Sequence, residues 1–259
     1  MPLTTELIDL FNIYIVPEGV TASASLFLIA LSFFTSCITA TLGVGGGALL
    51  VAVMASILPT SAVIPVHGVV QLGSNVGRFA VMRKYVKYSV LGWFLAGSLI
   101  GAAIGGSIVV SLPEHLLKLI LGSFILLVNW FPVSFSLRKA GMVSIGALSN
   151  FISMFVGAPG PFLISTIRRN FPDRKELLGT MAAFMSIQHA LKAAIFGFLG
   201  FAMTEWLSLV AIMIATGFLG TLAGRFLLER ISDQKYAVVI KWVLTALAVR
   251  LIWQAISLM

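Results

Sequence analysis

The chain has 259 residues, 59% of them hydrophobic and only 10% charged, with a formal net charge of +8. A soluble domain carries about 25% charged residues, so this composition excludes a water-soluble globule and places the chain in a bilayer as a polytopic membrane protein. Cys37 is the single cysteine, which excludes an internal disulfide or a cysteine-built metal cluster. The basic excess reads as cytoplasmic loop charge rather than affinity for nucleic acid.

Residues 1–21 contain three acids and no Lys or Arg. They lack the basic start of a cleaved signal peptide and are expected to form an external N-terminal segment. Apolar segments then fall at 22–42, 45–58, 62–82, 89–111, 115–133, 141–157, 159–167, 177–201, 204–227 and 237–257. Two of these are too short to cross roughly 30 Å of hydrocarbon. At about 1.5 Å per residue, 45–58 reaches about 20 Å and 159–167 about 14 Å. Residues 22–58 are far too long for one crossing, so the chain must turn back within TATLGVGGGALLVAV, residues 39–53. Gly43, Gly45, Gly46 and Gly47 stand there. Glycine is a poor helix former, and backbone groups released in hydrocarbon need protein or water partners.

Charge orients the remainder. Arg83/Lys84/Lys87, Arg138/Lys139, Arg168/Arg169/Arg174/Lys175 and Arg230/Lys235 mark cytoplasmic loops, whereas the loops at Glu114 with Lys118 and at Glu205 read as external. The Arg168–Lys175 loop can be cytoplasmic only if 141–157 enters and 159–167 returns. The expected fold is therefore an all-α polytopic membrane protein of two inverted repeats, each a broken-helix hairpin followed by three transmembrane helices. The repeats span 22–135 and 136–259, with both termini external in the cell (inner) membrane. An internal match supports this reading: GVGGGALL (43–50) aligns with GAPGPFLI (157–164) at an offset of 114 residues, which also pairs Asn75 with His189 and Arg78 with Lys192. GAAIGG (101–106) and GTLAGR (220–225) are similar further on. Inverted repeats with interrupted helices meeting near the midplane are a common transporter plan.

The segments leaving the two breaks would start helices inside the membrane. Helix N-termini carry partial positive charge and unpaired N–H groups, which suit anions, and successive glycine N–H groups can form an anion-binding nest. Gly43, Gly45, Gly46, Gly47, Gly157 and Gly160 are thus candidate backbone donors, with Pro159 and Pro161 lowering the donor count at the second break. Gly97, Gly101, Gly105, Gly220 and Gly224 read instead as positions of close helix packing.

On 62–82, His67, Gln71, Ser74 and Arg78 share one face, flanked by Asn75. On 177–201, Met181, Met185, Gln188 and Lys192 occupy the matching face, beside His189. Asn75, Arg78, Gln188, His189 and Lys192 are the candidate substrate-binding side chains, and His67 and Gln71 are candidates for coupling. Lys192 lies too deep to reach the surface and is a functional candidate on that ground. Arg225, near Glu229 and the cytoplasmic surface, reads as structural; Arg250 has no partner legible in the sequence. Asp173 and Glu176 read as a capping pair for the helix over 177–201. Every acid maps to a terminus, loop or helix end. Cation carriers and proton relays hold their cargo with intramembrane carboxylates; a cavity with Lys, Arg, amides and helix N-termini but no acid selects anions. The sequence has no Walker motif and no zinc-protease pairing of His and Glu, and no nucleophile motif surrounds Ser74.

GVGGG after the first apolar segment, LPTSAVIPVHGVVQLGSNVGRFAVMRKYV, GWFLAGSLIGAAIGG and the second-half repeat together resemble the sulfite exporter TauE/SafE family of membrane permeases. The second hairpin departs from the family pattern, with GAPGP where a glycine-richer turn is expected. The resemblance implies secondary transport, by export, of small sulfur-containing anions such as sulfite or organosulfonates. The expected partners are a small anionic substrate and the lipid bilayer, with a homodimer allowed, no nucleic acid and no cofactor. The chain reads as a transporter and not an enzyme; a non-transporting accessory protein, or a transporter or channel for another small anion, is the competing reading.

Overall fold

The computed structural model describes residues 2–43, 45–109, 113–131, 138–157, 159–227 and 233–259. Among them are eleven α-helices and no strand: α1 (Pro2–Tyr14), α2 (Ala22–Leu42), α3 (Gly46–Ile57), α4 (Thr60–Met82), α5 (Leu91–Val109), α6 (Glu114–Trp130), α7 (Lys139–Val156), α8 (Gly160–Ile167), α9 (Arg174–Phe198), α10 (Leu207–Leu227) and α11 (Asp233–Ser257). The chain is an all-α polytopic membrane protein. Among the described residues, five helical stretches are long and apolar enough to cross a bilayer: Ala22–Thr41, Tyr88–Val109, Lys139–Val156, Arg174–Phe198 and Met203–Phe226. The repeat boundary at 135/136, Glu229 and Arg230 lie outside the described residues. Residues 2–14, expected only as part of an external segment, form α1.

Both interruptions fall at the glycine runs. α2 starts at Thr21, whose hydroxyl accepts from the Ala24 N–H at 3.2 Å, and stops at Gly43. There φ is +83°, the left-handed region in which side chains are strained, and the Gly43 N–H donates to the Thr39 carbonyl at 2.8 Å. α7 stops in the same way: Gly157 has φ +77° and donates its N–H to the Ser153 carbonyl at 3.0 Å. α3 and α8 then set off from Gly45 and Pro159, and neither start carries a side-chain cap.

The largest helix contacts pair α5 with α7, α2 with α10, α4 with α9 and α6 with α11. Small residues set the first two. A Cβ at Gly97 would sit 1.9 Å from the Val143 carbonyl oxygen and one at Gly101 2.0 Å from that of Ala147, so α5 lies directly on the backbone of α7. α10 meets α2 likewise, since a Cβ at Gly220 would be 2.0 Å from the Phe33 carbonyl oxygen. Such approach replaces the hydrophobic drive that lipid does not supply between helices. α4 and α9 carry the polar faces read from the sequence, and both faces are buried. At the start of α9, Asp173 accepts from the Lys175 N–H at 2.8 Å as the expected N-cap, whereas Glu176 pairs with Lys87 at 3.9 Å across the neighbouring loop. Arg225 and Arg250 are exposed on α10 and α11.

Candidate functional site

Helix α3 begins inside the bundle. Its N-cap and first turn, Gly45, Gly46, Gly47 and Ala48, present N–H groups that have no acceptor within the helix. α8 begins nearby with prolines at its N-cap and second position, so Gly160 is the N–H donor at its first position. Gly43, Gly45, Gly47, Ala48 and Gly160 line one pocket with Thr39 of α2, His67, Gln71, Asn75 and Arg78 of α4, and Met185 and His189 of α9. Two helix N-termini thus face the same space, and none of its lining residues is acidic. The pocket holds about 30 Å³, room for one or two waters.

The polar side chains around it are tied to the broken backbone. Arg78 Nη1 donates to the Thr39 carbonyl at 3.3 Å, at the carbonyl end of α2, where a cation complements the helix dipole. Its Nη2 donates to Asn75 Oδ1, and Nε, also buried, has no hydrogen-bond partner. His67 Nε2 lies 3.0 Å from the Gly47 carbonyl oxygen. Asn75 Nδ2 donates to the Gln71 carbonyl at 2.6 Å. The missing side chain of Gly47 makes room for the Gln71 amide, because a Cβ there would stand 3.1 Å from Gln71 Nε2.

Among the side chains read from the sequence as binding residues, Gln188 and Lys192 are not among those lining this pocket. Gln188 Nε2 donates to Ser149 Oγ at 2.6 Å, and Lys192 Nζ donates to the Gly157 carbonyl at 2.7 Å. Both are completely buried, and the Lys192 stem lies against α4, where a Cβ at Gly68 would stand 2.9 Å from its Cδ. Each cation thus donates to a carbonyl near the end of a helix entering a break, Arg78 to Thr39 in the last turn of α2 and Lys192 to Gly157 just past α7.

Glycines separate in the same way. Gly46 faces α2 rather than the pocket, with a would-be Cβ 1.8 Å from the Thr35 carbonyl oxygen. The N–H groups of Gly43 and Gly157 close the last turns of α2 and α7. Thr39 and Ala48 line the pocket without having been singled out in the sequence. The offset of 114 carries the signal for Thr39, since it places that residue on Ser153, a hydroxyl four residues before each terminal glycine.

A profile of the family described as sulfite exporter TauE/SafE matches residues 28–251. The chain belongs to the sulfite exporter TauE/SafE family. No curated protein and no solved structure gives a significant match. TauE/SafE members are membrane permeases and not enzymes, and membership supports anion transport as the general activity. The matched span begins inside α2 and ends inside α11, so this TauE/SafE chain carries both helix breaks and every pocket residue within the family region.

Proposed function

We propose that this protein is a secondary transporter that exports small sulfur-containing anions, such as sulfite or organosulfonates, by alternating access around the pocket between the two breaks. The observation that carries the reading is the convergence of two helix N-termini and the Arg78 guanidinium on one acid-free space. Helix N-termini bind oxyanions through backbone N–H groups and the dipole, and a planar guanidinium adds charge and directed donors.

The same reading takes residues 22–135 and 136–259 as inverted repeats in the cell membrane with both termini external. Its support is the exchange of packing partners when the halves are swapped. α2 and α7 are the entering arms, α5 and α10 the third helices after them, and the close contacts are α2 with α10 and α7 with α5. The candidate binding groups are the N–H groups of Gly45, Gly47 and Gly160, with Asn75, Arg78 and His189. Gly43 and Gly157 shape the turns, and Gln188 and Lys192 hold α7 in place. His67 and Gln71 flank the anion, and His67 also anchors the start of α3.

Flux of labelled sulfite and of labelled sulfoacetate into proteoliposomes tests this directly. Wild type carries at least one of them, and Arg78→Gln carries it at least tenfold more slowly. Wild-type vesicles no more permeable to either anion than protein-free ones would defeat the proposal.

A further inference from the structure

Two imidazoles meet at the pocket, and anion binding alone leaves their arrangement unexplained. His67 and His189 are 0% and 2% exposed, and their rings stand edge to face with centroids 5.9 Å apart. The Gly47 carbonyl facing His67 Nε2 can only accept, so Nε2 carries the hydrogen of the neutral ring and Nδ1 keeps a bare lone pair. The Nδ1 atoms of both rings are buried without a hydrogen-bond partner, an arrangement that costs free energy and calls for an explanation.

The charges facing the pair are of one sign. Arg78 on α4 and Lys192 on α9 are buried beside it. α3, α5 and α8 carry no ionisable side chain, and α2 carries only Cys37. α7 and α10 carry theirs at their ends, Lys139 and Arg225. Arg83, Lys84 and Tyr85 follow α4, Glu205 precedes α10, and Arg174, Lys175 and Glu176 open α9, all at the ends of the membrane-spanning helices. Among the described residues, a proton entering the pair therefore meets two buried cations and no carboxylate. Only an anion in the pocket can offset its charge.

We propose that the His67–His189 pair binds one proton together with the transported anion, so that the carrier moves anion and proton as a unit. The inference rests on the anion-transport reading above. The proton comes from whichever aqueous side the pocket faces, sits on an imidazole nitrogen while the anion is bound, and leaves with it on the far side. Linkage is reciprocal: the anion raises the affinity for the proton by the factor by which the proton raises the affinity for the anion. The two rings share a single proton, because a second would set like charges side by side.

Calorimetry of sulfite binding to the purified full chain, repeated in buffers of different ionisation enthalpy, counts protons taken up per anion. Sulfite's own protonation contributes equally in every protein and cancels in the comparison. Wild type takes up about one proton more per sulfite than His67→Gln/His189→Gln. Where that double variant does not fold, His67→Gln/His189→Asn serves, since the glutamine amide can still donate to the Gly47 carbonyl and neither amide can take a proton, and the same difference is expected. Equal counts in wild type and variant overturn the proton proposal and leave anion transport standing. No sulfite binding or flux in wild type overturns both.

Discussion

Lys192 Nζ lies 2.7 Å from the carbonyl oxygen of Gly157, so a fully buried lysine sits on the carbonyl end of the helix that enters the second break. A buried cation is costly in a membrane, and here the carbonyl and the dipole of α7 offset part of that cost. Lys192→Met removes the charge and leaves the Gly157 carbonyl without its donor. The expected loss is about 1–3 kcal/mol of stability, read as a thermal midpoint several degrees lower in detergent, with sulfite flux reduced at least tenfold. An unchanged midpoint would show that the contact does not hold the turn.

Arg78 makes two contacts of different direction, to the Thr39 carbonyl and to Asn75 Oδ1. A lysine has the charge but not the fork that spans both. Arg78→Lys is expected to lower sulfite flux about tenfold or more and to raise KM, while a role in charge alone would leave flux near wild type. Proteoliposome uptake over a range of sulfite concentrations separates the two.

Gly46 tests the break through sterics. A Cβ there would lie 1.8 Å from the Thr35 carbonyl oxygen, backbone that cannot rotate away, so Gly46→Ala must push α3 off α2. Overpacking of this kind costs about 1–3 kcal/mol, and flux should fall with stability. Gly92→Ala is the control, because nothing stands within 4 Å of its would-be Cβ. Equal thermal midpoints for the two variants would contradict the packing described.

Topology is open to labelling. In a Cys37→Ser background, Thr60→Cys at the start of α4 is expected to react with an impermeant maleimide from outside, and Asn170→Cys in the loop before α9 from inside. Reaction of both from one face would rule out the inverted arrangement.

Much of this architecture is readable from residues alone. The breaks follow from arithmetic, because 22–58 is too long and 159–167 too short for a single crossing, and glycine runs sit where the turns must be. The correspondence of Arg78 with Lys192 follows from the offset of 114 residues. What Lys192 and Gln188 touch does not follow. Both share a helical face with pocket residues, but each is drawn to α7 instead, Lys192 to the Gly157 carbonyl and Gln188 to the Ser149 hydroxyl. The glycine N–H groups mislead in a similar way. A left-handed glycine that ends a helix uses its own N–H to close the final turn, and the Gly43 and Gly157 N–H groups are engaged in that way. α1 was missed because residues 2–14 show neither a long apolar run nor a basic flank.

All four of the extensive helix pairings join one half of the chain to the other. The Gly97 and Gly101 contacts clamp α5 onto α7, and the Gly220 contact clamps α10 onto α2, backbone against backbone. A pocket opened by rocking residues 22–135 as one block against 136–259 would shear every one of those seams. Under the proposed alternating-access reading, each moving body therefore combines helices from 22–135 with helices from 136–259, and gene order is no guide to which parts travel together.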